Sequence, residues 1–213
     1  MRKTAISFCV AAALLFAAGL VSCADSSSSD SGSGSSIVDS KAEASEAEKA
    51  VITEMNYART KPAEYVSKKL QPLVSSSSGT YLTALNECIS QMNSMSALGE
   101  LSYGQGLYVA AKEWVVEQGK GTSTGHDPNL YDRISKHCTW TSAGENIAYG
   151  YDGAEAIVIA LLVDDGVSDR GHRKNILEMD GHGPYTHAGA AIGSHAGYST
   201  MCCIDYAGGY ADK

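Results

Sequence analysis

Helical periodicity comes first in this 213-residue chain and strand alternation comes last, and that order limits the architecture more than any other feature. Ser45-Glu46-Ala47-Glu48 reads as a capping box, in which a serine and a glutamate three residues on satisfy each other's backbone N–H groups. Val51, Ile52, Met55 and Ala58 then fall on one helical face, with Asn56 and Arg59 off it. Lys61-Pro62 restarts a short helix through Tyr65, proline standing where a missing N–H costs little. Ser75 to Gly79 is expected to be a loop. Leu82, Leu85, Ile89 and Met92 predict another amphipathic helix, and Leu107, Ala110, Ala111, Trp114 and Val115 predict one more, closed by Gly119. A long loop is expected from Gly119 to Gly150, a helix from Ala154 to Val163, and irregular chain after Asp164. Ala188, Ala190 and Ile192 alternate onto one face of a strand. Met201, Cys203 and Tyr206 are expected to continue that pattern in the last strand. Helices followed by strands predict an α+β fold with one sheet covered by helices.

The N-terminus carries an address. Arg2 and Lys3 precede an apolar run from Ala5 to Val21, and a serine tract follows. A basic start, a short apolar centre and small residues before a cut site describe an export signal; the run is marginal for a membrane-spanning helix. Leu20-Val21-Ser22-Cys23 resembles the lipobox of bacterial lipoproteins, which implies a signal peptide over 1–22 and lipidation of Cys23. The alternative is an ordinary secretory signal cut near Ser22. Either route takes the mature chain to the cell envelope or beyond it, and the first makes a membrane its partner through the anchor. Residues 24–40 contain nine Ser, two Gly and three Asp, too little apolar surface to offset ordering a backbone. Residues 23–45 are therefore expected to be a disordered tether, and 46–213 the folded domain.

Lys and Arg number 16 against 24 Asp and Glu, a net charge of −8. No nucleic-acid partner is expected, since phosphate binding needs a basic surface. With Cys9 in the signal and Cys23 at the anchor, Cys88, Cys138, Cys202 and Cys203 remain. Adjacent Cys202 and Cys203 point to opposite faces if they lie on a strand. A bridge from Cys138 to that strand and a set of buried thiols both stay open. The absence of any C-x-x-C excludes a zinc ribbon or a thioredoxin-type site.

All six His lie between 126 and 195. Gly125-His126, Gly144-Glu145-Asn146-Ile147-Ala148 and Gly171-His172-Arg173-Lys174-Asn175-Ile176-Leu177 stand out, preceded in order by Asn56, Arg59 and Leu101-Ser102-Tyr103. With these segments the chain, from about Ala47 onward, resembles the CAP superfamily of cysteine-rich secretory, antigen 5 and pathogenesis-related-1 proteins, in its bacterial SCP-like extracellular branch. The resemblance implies an α-β-α sandwich with one mainly antiparallel sheet. It also implies a cleft displaying two His and two acids, metal binding in some members, and lipid or sterol binding in others. Position by position, His126 resembles the first cleft histidine, Glu145 the Glu of the G-E-N motif, and His172 the second histidine. Asp165 or Asp164 stands for the second acid, without the family's W-x-x-E context; its G-H-Y-T-Q form is absent too.

Imidazole and carboxylate suit a borderline divalent ion such as zinc, with His126 and His172 the implied ligands. The expected function is an envelope binding or interaction module, taking a lipid or an extracellular protein. The alternative is a metal-assisted hydrolase with Glu145 as catalytic base. Structural roles compete with each assignment. Loop histidines are usually solvated, Glu145 in a Gly-Glu-Asn turn would accept backbone N–H bonds, and Asn146 would make an Asx turn. Arg170 and Arg173 would pair with the nearby Asp run or bind an anion. His137, His182, His187 and His195 fall outside the pattern. Gly121 to Gly125 fits G-x-S-x-G, but a nucleophile elbow needs a strand before it and a helix after, and here a helix precedes.

Overall fold

A computed structural model describes residues 38–39 and 41–213. The signal peptide and Cys23 lie outside the described residues, as does most of the tether. Contacts with the helical part of the domain already begin ahead of residue 46. Gln105 Nε2 donates to the Ala42 carbonyl at 2.7 Å, Tyr108 Oη to that of Glu43 at 3.2 Å, and Ala44 is buried.

Helix α1 (Glu46–Thr60) opens on the capping box, with Ser45 N–H donating to Glu48 at 2.8 Å. Glu48 does more than cap. Its other oxygen takes the Ile192 N–H at 3.0 Å and the Lys112 ammonium at 3.2 Å, pinning the helix start to the sheet. After α2 (Pro62–Tyr65), a π turn and a 3-10 turn run to Ser76, two residues into the loop expected from Ser75 to Gly79, and α3 (Gly79–Ser94) follows. Strand β1 (Ser102–Tyr103) leads into α4 (Gln105–Gln118). The stretch expected to be one long loop instead holds α5 (Leu130–His137), β2 (Cys138–Thr139) and β3 (Ser142–Tyr149). Helix α6 (Ala154–Val163) is followed by a short α7 (Gly171–Leu177), then β4 (His187–His195), β5 (Ser199–Gly208) and β6 (Ala211–Asp212).

Four strands form one sheet in the order β1-β4-β5-β3, antiparallel except for the β1–β4 pair, and β2 pairs with β6. One face of the sheet, with Ala188, Ala190, Cys202, Ile204 and Tyr206, packs on α1, α3, α6 and α7. The other, with Ile147, Ala191, Met201 and Cys203, packs on α4, and α5 lies against α4. This is the expected α-β-α sandwich. Tyr206 turns to the face opposite Met201 and Cys203, because side chains alternate along a strand and it stands an odd number of positions from both. Helix α4 approaches β4 so closely that a Cβ on Gly189 would strike the Tyr108 backbone.

Cys202 and Cys203 do face opposite cores, and with Cys88 and Cys138 they are buried free thiols; no bridge joins Cys138 to β5. No helix among the described residues is long and apolar enough to cross a membrane.

Candidate functional site

Strand β3 is an edge strand of the sheet. His126 reaches this edge from the loop between α4 and α5, and His172 from α7. Their ring centroids are 6.4 Å apart. Each is held at Nδ1 by a carboxylate: His126 by Glu145 Oε1 at 2.6 Å, His172 by Asp164 Oδ1 at 2.7 Å. A carboxylate accepts, so Nδ1 carries the proton and Nε2 keeps its lone pair.

The second acid is Asp164 and not Asp165. Asp164 caps α6 in the left-handed conformation (φ 55°) and also accepts the His172 backbone N–H at 3.0 Å. That turn sends Asp165 outward, exposed and bonded to Thr80 Oγ1 at 3.3 Å. Chain direction at a helix end decided this choice, and residue type alone could not.

Glu145 lies on a strand, not in a turn, and its side chain is fully buried. Arg133 of α5 holds its second oxygen at 2.5 Å. With its side chain buried and both oxygens engaged, Glu145 positions His126. The same guanidinium bonds Asp205 at 3.1 and 3.3 Å and the Ala110 carbonyl. Its Nε lies 3.1 Å from Asp127 Oδ2 without alignment for a hydrogen bond. The Cys203 thiol donates to Glu145 at 3.2 Å. Among the described residues Glu145, Cys203 and Asp205 alone bring three potential metal-ligating atoms within 4.8 Å of one another. Arg133 already supplies the cation there, and burial pushes the Cys203 thiol pKa well up, away from the thiolate a metal needs.

Sequence reasoning missed Arg133 and Asp205. The available signal was a single acid inside the otherwise buried Met201-Cys202-Cys203-Ile204-Asp205-Tyr206 run, since a buried carboxylate requires a partner. Asn146 makes no Asx turn; its amide donates to the His172 carbonyl at 3.0 Å and to Tyr206 Oη at 3.1 Å, fastening α7 to β3. Asn175 completes that clasp by donating to the Glu145 carbonyl at 3.1 Å. Arg173 is not a surface residue. It is fully buried and donates to carbonyls at the end of α6, while Arg170 pairs with Glu87 at 2.8 Å. His182, set aside in the sequence, lines the cleft, with Nδ1 2.7 Å from Asn175 Oδ1.

The hydrogen bond to Glu145 raises the His126 pKa above its ordinary value, against a downward pull from burial. A raised folded-state value means the protonated ring's stabilisation is complete below the unfolded pKa, about 6.5, and is lost as pH climbs through the folded one. An NMR titration of the His126 ring is expected to show a midpoint above the ordinary value, moved down in Glu145→Gln. A midpoint unchanged by that substitution would contradict the pairing.

The cysteine-rich secretory protein (CAP) family model matches residues 52–206. The chain belongs to that family. No curated protein matches it significantly. Among solved structures it is similar to an outer surface protein from Borrelia burgdorferi, at 18% identity and a TM-score of 0.39, covering 67% of this chain and 93% of that one.

Proposed function

We propose that the chain is an exported binding module of the bacterial cell envelope, lipid-anchored at Cys23 and held clear of the membrane by its serine-rich tether. The leader-like N-terminus, the L-V-S-C sequence and membership of a secretory family support this location. The cleft formed by His126, Glu145, Asp164 and His172 is its ligand site. One observation carries that reading: two imidazoles from opposite layers have Nδ1 clamped by carboxylates, so both Nε2 lone pairs are oriented for a ligand. Carboxylate-held imidazoles fit a divalent ion such as zinc, with His126 and His172 holding it and solvent or a bound ligand completing its shell. Such an ion would supply Lewis-acid polarisation of that ligand. The engagement of both Glu145 oxygens favours binding over hydrolysis.

Calorimetric titration with zinc is expected to show binding that His126→Ala and His172→Ala abolish. Asp164→Ala, which removes the acceptor for the His172 Nδ1–H, should weaken it about 10–100-fold by releasing the His172 ring. Absent binding, or binding indifferent to both histidines, would overturn the metal reading.

An apolar ligand is supported by a separate hollow of about 530 Å³ lined by Leu73, Tyr81, Tyr151, Ala154 and Ile159. A fluorescent fatty acid is expected to bind the chain and to lose that binding in Ile159→Arg; equal binding by the variant would exclude this hollow.

A further inference from the structure

Three hollows adjoin along the outer edge of β3. The middle one, about 270 Å³, is walled by His126, Glu145, His172, Asn175 and His182. A second, about 260 Å³, shares all of these but His172 and runs to Tyr131 and Tyr185. The third, about 410 Å³, shares His126 and His172 and runs to Tyr149 and Tyr198. The result is one elongated groove with imidazoles at its centre and a tyrosine at each end.

The end tyrosines are open to solvent: Tyr131 is 55% exposed and Tyr198 51%. Both are braced by other rings, Tyr131 by Trp140 at 5.6 Å, and Tyr198 by Tyr149 and His195, each at 5.5 Å. Braced, exposed rings are flat apolar platforms that lose little entropy when covered. Between them His182 repeats the design of the other two imidazoles. Asn175 Oδ1 accepts a hydrogen bond from its Nδ1–H, and Asn175 is itself fixed by bonds to Glu145, Asn146 and Tyr185. That leaves His182 Nε2 as an oriented acceptor.

The charge of the groove narrows the ligand. Among the described residues no Lys or Arg lines any of the three hollows. Glu145 and Asp164 are engaged by the imidazoles, and Asp169 accepts the Gly171 N–H at 3.3 Å. An anionic ligand finds no permanent cation here. A peptide is commonly read by pairing with a free strand edge, but on β3 the Glu145 carbonyl is already taken by Asn175. What remains suited is a neutral chain with flat apolar faces and hydroxyl donors.

We infer that this groove binds a neutral oligosaccharide, its sugar rings stacked on Tyr131 and Tyr198 and a central hydroxyl donating to His182 Nε2. The inference rests on the cleft being the ligand site and names the class of ligand it takes.

The test applies the full chain, purified in EDTA, to arrays of neutral, sulfated and sialylated oligosaccharides and of uncharged hexapeptides. Binding to neutral saccharides is expected, weakened at least about tenfold in each of His182→Ala and Tyr198→Ala. Should His182→Ala fail to fold, Tyr131→Ala joins Tyr198→Ala, since both rings are exposed and neither should move the melting temperature. No neutral saccharide bound, recognition confined to anionic saccharides or to peptides, or affinity indifferent to both tyrosines would overturn it. Because EDTA removes metal, a negative array beside intact zinc binding defeats only the saccharide inference. A positive array with no zinc binding defeats only the metal reading.

Discussion

Arg133→Met is expected to cost about 3–5 kcal/mol of folding stability, the usual penalty for taking one partner out of a buried ion cluster. Glu145 and Asp205 are both fully buried as side chains, and Arg133 is the cation they share. Methionine fills comparable volume but leaves two carboxyl groups facing each other without a counter-charge. Urea unfolding at neutral pH measures the loss, and a change below about 1 kcal/mol, the scale of an exposed pair, would show the cluster to be dispensable. The pH dependence gives a second reading. Burial already lifts the Asp205 pKa well above its ordinary value. A carboxyl raised in the folded state makes stability greatest below the unfolded pKa, declining as pH climbs towards the folded one. Losing Arg133 should steepen that decline, so the variant recovers part of its deficit in mild acid.

Arg173→Met is expected to cost about 3 kcal/mol for a different reason, because each orphaned buried acceptor carries a penalty of about 1–3 kcal/mol. The Arg173 guanidinium donates to the carbonyls of Leu162 at 2.5 Å, Val163 at 2.7 Å and Ala84 at 2.9 Å. The first two close α6 and have no helical partner; the third lies inside α3, keeps its own helical N–H and joins the two helices. Relief from burying a charge offsets part of the sum, which keeps the expectation at the low end. Thermal unfolding tests it, and zinc titration on the same sample adds discrimination. Arg173 sits beside His172 and holds the end of α6 next to Asp164, so the variant should lose cleft function along with stability. Full stability in Arg173→Met would mean that water replaces the guanidinium at those carbonyls.

The architecture was legible where periodicity was strong. The α1, α3 and α4 stripes are long and regular, α6 is a continuous apolar run, and the β4 alternation of Ala188, Ala190 and Ile192 is clean. The stretch from Gly119 to Gly150 was illegible for an identifiable reason. Helix α5 is eight residues long and buries Arg133 as well as Ile134, so its inner face reads as polar. Strand β3 carries Glu145 and Asn146 inward, which hides its alternation. Of the cleft, His126, Glu145 and His172 could be read through family motifs, because their convergence depends on the sandwich and leaves no local spacing to detect. The choice between Asp164 and Asp165 needed the left-handed turn at the α6 end. His182 needed Asn175, whose own orientation comes from β3.

The cleft's two principal imidazoles are mounted on different slabs of the sandwich, one above the terminal strand and one below it. Anything that grips both becomes a cross-brace over the sheet's rim. Occupancy should then toughen the whole domain against unfolding through mass action, since the unfolded chain cannot present the two rings together. Residence of its ligand would double as armour.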